Sequence, residues 1–228
     1  MAKSKISRKK LLKEPDEFIT FTGRLLQYGR TYQKQLIGVV IFFFLIIIVG
    51  STVRYFYEKG EAEASFLLSK AQKNYEETLS SKGTEKALKA VEKDYQKLLN
   101  DYSGKVAGKQ ARILLANIYY DAKMIDKAIE LYKVALEDWS NVSAVKNIIL
   151  NSLGYAYEQK KELKTAVTYY EQIRKSDETL GKATAIYNLG RIYAKLNDKE
   201  KSMKAFQDVS EKYPDFIYSE IVKEKIQL

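Results

Sequence analysis

The sequence predicts an all-α chain, in which a single N-terminal transmembrane helix precedes a solenoid of helix-turn-helix pairs. Three observations carry that prediction. One uninterrupted apolar run lies near the start, and small and aromatic residues recur in register through the second half. Glycine and proline, eleven and two in 228 residues, are too sparse for a loop-rich β protein. The chain also has no cysteine and no histidine. That removes thiolate nucleophiles, imidazole bases, Ser-His-Asp triads, disulfide frameworks, the usual zinc sites and a lipoprotein anchor. Carboxylate-only hydrolysis or phosphate binding is the chemistry left. The expectation is a protein with no active site, cofactor, metal or small-molecule substrate.

Residues 1–35 form a basic tail with nine basic and three acidic residues. Lys3, Lys5, Arg8, Lys9, Lys10 and Lys13 include no acid among them. Near a bilayer their expected partner is anionic lipid, at about 1 kcal/mol per basic residue. Ribosomal RNA is the rival anion, and a tail that only sets topology is the plain alternative; no nucleic acid is expected overall. After Pro15, the residues Phe18, Phe21, Leu25, Tyr28 and Tyr32 recur at spacings of 3 and 4, which makes one apolar helical face. Glu17, Arg24, Gln27 and Lys34 are expected opposite it. Such a helix suits the membrane interface, with a partner-binding helix as the rival reading.

Residues 36–53 read LIGVVIFFFLIIIVGSTV, with no charge between Lys34 and Arg54. At about 1.5 Å per residue this length matches a hydrocarbon core of about 30 Å. The nearest Ala-x-Ala, at Ala62 to Ala64, lies well beyond the run, so an uncleaved signal anchor is expected. Residues 54–228 hold 30 basic and 26 acidic residues, a much weaker excess than the tail's. That asymmetry predicts a cytoplasmic N-terminus and a large domain on the other side of the membrane.

Three later segments superimpose. Ala116, Gly154 and Gly190 are each followed by Tyr at +3 (Tyr119, Tyr157, Tyr193). A small residue stands at +12 (Ala128, Ala166, Ser202) and an aromatic at +16 (Tyr132, Tyr170, Phe206). Small residues let two helices approach closely while aromatics fill the space beside the contact. These columns resemble the tetratricopeptide repeat, here with starts 38 and then 36 residues apart. Three repeats are expected over 109–216. A divergent first repeat with its connecting helix is expected over 54–108, built from helices 61–78 and 84–102 with Ala87, Ala90, Val91, Tyr95 and Leu98 apolar. A capping helix over 217–228 would bury Ile221, Val222 and Ile226. Three positions depart from the pattern: Arg112 stands where the family prefers a large apolar residue, and Ser140 and Glu178 replace the closing proline that Pro214 keeps. Looser turns are expected there.

The resemblance implies a concave groove that binds extended peptide or a partner's helix. Its lining by repeat position would be Asn117, Tyr120 and Asp121, then Asn151, Tyr155 and Glu158, then Tyr187, Arg191 and Lys195. The clamp lysines of chaperone-binding members are replaced by Ile113 and Tyr187, so no carboxylate clamp is expected. Other short signals read as structure. Residues 104–110, GKVAGKQ, have too short a spacing for a phosphate loop and lack its Ser or Thr. Asn141-Val142-Ser143 matters only in a eukaryotic secretory lumen, and Glu137-Asp138 and Asp177-Glu178 read as solvated charge. Most of the eighteen tyrosines fall in repeat columns and read as core.

A basic tail, one anchor and a repeat domain beyond it together resemble the ancillary subunit of the bacterial SecYEG translocon, the YfgM-like family. That resemblance implies a place in the bacterial inner membrane with the repeat domain in the periplasm, and protein partners: the Sec translocon, periplasmic chaperones and exported polypeptides. An envelope-assembly or cell-division scaffold is the alternative, and a receptor of opposite topology a third reading.

Overall fold

The computed structural model describes residues 17–227, with side chains over residues 21–226. The basic cluster of residues 3–13 and the side chains of Glu17 and Phe18 therefore lie outside the described part. Every described element is helical: α1 (Glu17–Thr31), α2 (Gln33–Lys82), α3 (Thr84–Asp101), α4 (Val106–Asp121), α5 (Ile125–Asp138), α6 (Ser143–Gln159), α7 (Leu163–Lys175), α8 (Lys182–Lys195), α9 (Lys199–Lys212) and α10 (Ser219–Gln227). The chain divides into two units, at Glu58 and Lys59.

In the first unit, Tyr28 stacks on Tyr32 with centroids 6.0 Å apart. Arg24 and Gln27 share a hollow with Tyr28, Thr31 and Tyr32. Arg24 therefore flanks the aromatic stripe instead of opposing it, a correction that follows from geometry: it stands four residues before Tyr28, and four residues advance a helix only about 40° beyond a full turn, whereas Gln27 keeps its place on the far side. Helix α2 has 50 residues. It joins the predicted span to the helix expected separately from residue 61. No proline interrupts the junction, where Arg54 Nε donates to Glu58 Oε1 at 2.7 Å within one turn. Its apolar stretch is not buried at all.

In the second unit each helix packs on the next, α3 on α4 through to α9 on α10. Ala64, Leu68 and Ala71 of α2 join the same core. The repeat columns explain the packing. Ala116, Ala128 and Tyr132 are buried, as are Gly154, Ala166 and Tyr170, and Gly190, Ser202 and Phe206. A Cβ on Gly154 would lie 2.4 Å from the Tyr170 ring, and one on Gly190 2.6 Å from the Phe206 ring. Each glycine is thus the seat of the aromatic sixteen residues later. Two of the +3 tyrosines join successive repeats, Tyr119 donating to Glu92 at 2.7 Å and Tyr193 to Glu171 at 3.2 Å, while Tyr157 stacks on Tyr169 of its own repeat at 5.4 Å.

Turns within the repeats share one geometry. Lys123, Lys161 and Asn197, each seven residues after the column's small residue, have φ of 62°, 62° and 61°. The following amides of Met124, Glu162 and Asp198 each donate to the tyrosine carbonyl five residues back. That is the helix-ending Schellman bond, which normally uses glycine at the left-handed position.

Several expectations about the second unit are corrected. Arg112 is 8% exposed and pairs with Asp138, so Asp138 is not solvated charge. The turn where Glu178 replaces proline is fastened instead of loosened: buried Asn147 donates through Nδ2 to Ser176 Oγ at 3.0 Å and to the Leu180 carbonyl at 3.0 Å. Glu178 Oε1 also accepts from the Leu180 amide at 3.0 Å. Ala90 is exposed and Leu88 is buried in its stead. The cap begins at Ser219 and buries Val222, while Ile221 stays 42% exposed.

Candidate protein-interaction groove

Helices α4, α6 and α8 are the first helices of the three repeats. A helix brings positions three and four apart onto one face. Asn117, Tyr120 and Asp121 thus project together from α4, and Tyr155 and Glu158 from α6. Arg191 and Lys195 project from α8. Two adjoining hollows result. The first, of about 280 Å³, is lined by Asn117, Tyr120, Asp121, Tyr132, Ser152 and Tyr155. The second, of about 520 Å³, is lined by Tyr120, Tyr155, Glu158, Gln159, Lys161, Leu163, Arg191 and Lys195. Tyr120 and Tyr155 belong to both, so the two form one run across the three repeats.

Each wall is held from beneath. Tyr132 donates to Asn117 Oδ1 at 2.6 Å, which fixes the amide of the first hollow. The Tyr155 ring stands edge-on to buried Tyr170, with centroids 5.9 Å apart at 80°. Burial pushes the Tyr170 hydroxyl's pKa upward, as do Tyr155 and Glu158, so the group under the groove stays neutral. In the second hollow Glu158 Oε1 accepts from Arg191 Nη2 at 2.8 Å and from Lys195 Nζ at 2.7 Å. Arg191 Nη1 also donates to Asn188 Oδ1 at 2.8 Å. The Asp121 carboxyl, in the first hollow, is held above its ordinary pKa by burial, with Lys123 opposing.

Seven of the nine residues expected in the groove line these hollows, and Asn151 and Tyr187 do not. Asn151 is half-buried, with an Oδ1 that makes no hydrogen bond. Tyr187 packs on Phe206 of its own repeat at 6.0 Å and is covered by the chain's own C-terminal segment, stacking on Tyr218 at 5.2 Å and packing on Phe216 at 5.8 Å. The extent of the groove at the third repeat is therefore shorter than the repeat positions imply. Sequence reasoning missed Tyr132, Ser152, Gln159, Lys161 and Leu163. Tyr132 was legible only as a core aromatic, and the other four stand outside the repeated columns.

The residues resembling a phosphate loop open α4, and their anion position is filled from within. Glu61 of α2 accepts from the Val106 and Ala107 amides, both at 2.8 Å. A carboxylate at a helix N-terminus satisfies free amides and the helix dipole together.

Comparison with known proteins agrees with this geometry. Residues 113–179 and 184–215 match tetratricopeptide-repeat families. The human intraflagellar transport protein 88 homolog is 33% identical over 125 residues, which are 52% of this chain and 15% of that protein. The chain thus spans a small fraction of that relative's length. Among solved structures, a Podosopora anserina protein described as having kinesin light chain nearly identical TPR-like repeats superimposes with a TM-score of 0.57 at 15% identity. That match covers 72% of this chain and 84% of the other. BtubC (BKLC) from P. vanneervenii superimposes with a TM-score of 0.55 at 17% identity, covering 75% and 81%. At such identities the likeness is one of fold. Residues 113–179 and 184–215 are thus tetratricopeptide repeats, and the stacked helix pairs to which they belong follow a long apolar N-terminal helix.

Proposed function

We propose that this chain is a single-span membrane protein whose repeats dock other polypeptides without catalysing a reaction. The observation that carries the docking reading is the pair of hollows sharing Tyr120 and Tyr155. Tyrosine offers apolar area and a polar tip at low conformational cost, which suits an extended partner. The anchor reading rests on the fully exposed apolar stretch of α2 and on the aromatics at its two ends. Tyr28 and Tyr32 precede it and Tyr55, Phe56 and Tyr57 follow it, all exposed. Aromatic belts of this kind sit at the two faces of a bilayer, with about 30 Å of hydrocarbon between them.

The finer reading follows the resemblance noted above. The tail lies in the cytoplasm and binds inner-membrane lipid, and the repeats lie in the periplasm beside the Sec translocon. There they hand exported polypeptides to periplasmic chaperones. A second reading is a scaffold for one fixed partner, in envelope assembly or cell division. The scaffold part of that reading, and not its setting, is supported by the 33% identity over 125 residues with a protein whose name places it in intraflagellar transport.

A photo-crosslinking amino acid at Tyr155, in native membranes, tests both by mass spectrometry of the adducts. Translocon subunits, chaperones or many exported chains support the first reading. A single envelope protein supports the second, and cytosolic proteins overturn the topology.

A further inference from the structure

We propose that Arg191 and Lys195 read an acidic side chain on the docked segment, and that Glu158 holds the place of that carboxylate until a partner arrives. The inference rests on the docking reading and goes past it to the chemistry of the partner.

Exposure separates the three charges. The Glu158 side chain is 12% exposed, against 33% for Arg191 and 51% for Lys195. The anion thus lies behind the two cations, which face the hollow. One carboxylate oxygen takes one donor from each cation, and Asn188 takes one more from Arg191. A guanidinium has five donors and an ammonium three. Several therefore remain for a ligand. Glu158 Oε2 makes no hydrogen bond at all, so its hold on the pair is incomplete.

Charge then sets the sign of the partner. Lys161 is a third cation in the same hollow, so three positive groups face one negative group. Asp121 is the one charged group lining the neighbouring hollow. An extended segment lying across Tyr120 and Tyr155 is favoured when acidic at the α8 end, and disfavoured when acidic beside Asp121. A partner carboxylate that displaces or joins Glu158 leaves Arg191 and Lys195 bonded throughout. Selectivity then comes from the cations that Glu158 does not compensate.

The test uses the full chain in lipid nanodiscs and fluorescence polarisation of three labelled dodecapeptides, acetylated and amidated. All share a Tyr, Leu and Ser background; they differ in carrying Glu, Gln or Lys at the same positions. The Glu peptide is expected to bind about tenfold tighter than the Gln peptide at low salt, with the gap narrowing as salt rises. Lys195→Gln, at an exposed position that leaves folding unaffected, closes most of that gap. Glu158→Gln widens it by removing the internal competitor, with thermal melting checking that this variant is folded. Equal binding of all three peptides, or tighter binding of the Lys peptide, overturns the inference. If that binding is still lost in Tyr155→Ala, the docking reading survives. Binding by none of the three overturns the inference and the docking reading together.

Discussion

Gly154 has no room for a side chain, because its Cβ position is 2.4 Å from the ring of a tyrosine that is itself fully buried. Alanine at this site gains about 1 kcal/mol of helix propensity but overpacks the helix contact. A net loss of about 1–2 kcal/mol in urea unfolding is expected for Gly154→Ala, with the loss smaller in a Tyr170→Leu background. Additive losses would mean that the two residues do not meet. The column to which Gly154 belongs was legible because its period repeats three times. The Arg112–Asp138 pair was not, since its partners lie on two helices and no local pattern joins them. Tyr187 misled for a related reason: its position in the repeat was read correctly, but Phe216 and Tyr218, which cover it, stand outside the repeated columns.

Buried tyrosines also set a pH limit. Burial pushes the hydroxyls of Tyr95 and Tyr119 up to about 12, with Tyr75 and Glu76 adding to the first and Glu92 to the second. Their folded pKa is thus raised above the unfolded value of about 10, so the folded state holds its protons longer. The associated stability is present in full below pH 10 and is lost as pH rises from 10 towards 12. Circular dichroism is expected to show alkaline unfolding in that window, and Tyr95→Phe with Tyr119→Phe to flatten its slope. An unchanged slope would assign the transition to other groups.

Helix ends carry what the periodic columns do not. Lys123 occupies a left-handed position at 62°, where a side chain costs about 1 kcal/mol or more. Lys123→Gly is expected to stabilise the repeats by about 0.5 kcal/mol, after the glycine's own entropy is counted. Destabilisation would mean that the lysine side chain contributes contacts of its own. The turn escaped sequence reasoning because two of its three left-handed positions are lysines, which give no turn signal. Glu61 escaped it because it lies 45 residues from the Val106 amide it accepts from. Glu61→Gln is expected to cost about 1 kcal/mol of repeat stability through the weakened cap on α4, read as an earlier urea midpoint. No shift would show that the two hydrogen bonds are replaced by water at no loss.

The continuity of α2 is the largest difference between expectation and structure. Composition divided the chain at residue 53, because hydropathy changes there; the backbone does not divide, because helix formation asks only for residues that tolerate it. The apolar half of α2 buries nothing within the chain, and its later half gives Ala64, Leu68 and Ala71 to the repeat core. The chain thus has one apolar helical surface that packs on nothing among the described residues and, in the reading proposed above, one docking surface in the groove of α4, α6 and α8. Its position is tested by photo-crosslinking amino acids placed singly at Tyr120 and Tyr155 in the groove, and at Glu130 and Gln207, exposed positions on α5 and α9. Adducts concentrated at Tyr120 and Tyr155 are the result expected of a groove-docking protein. Adducts at Glu130 and Gln207 with none at the two tyrosines would contradict it.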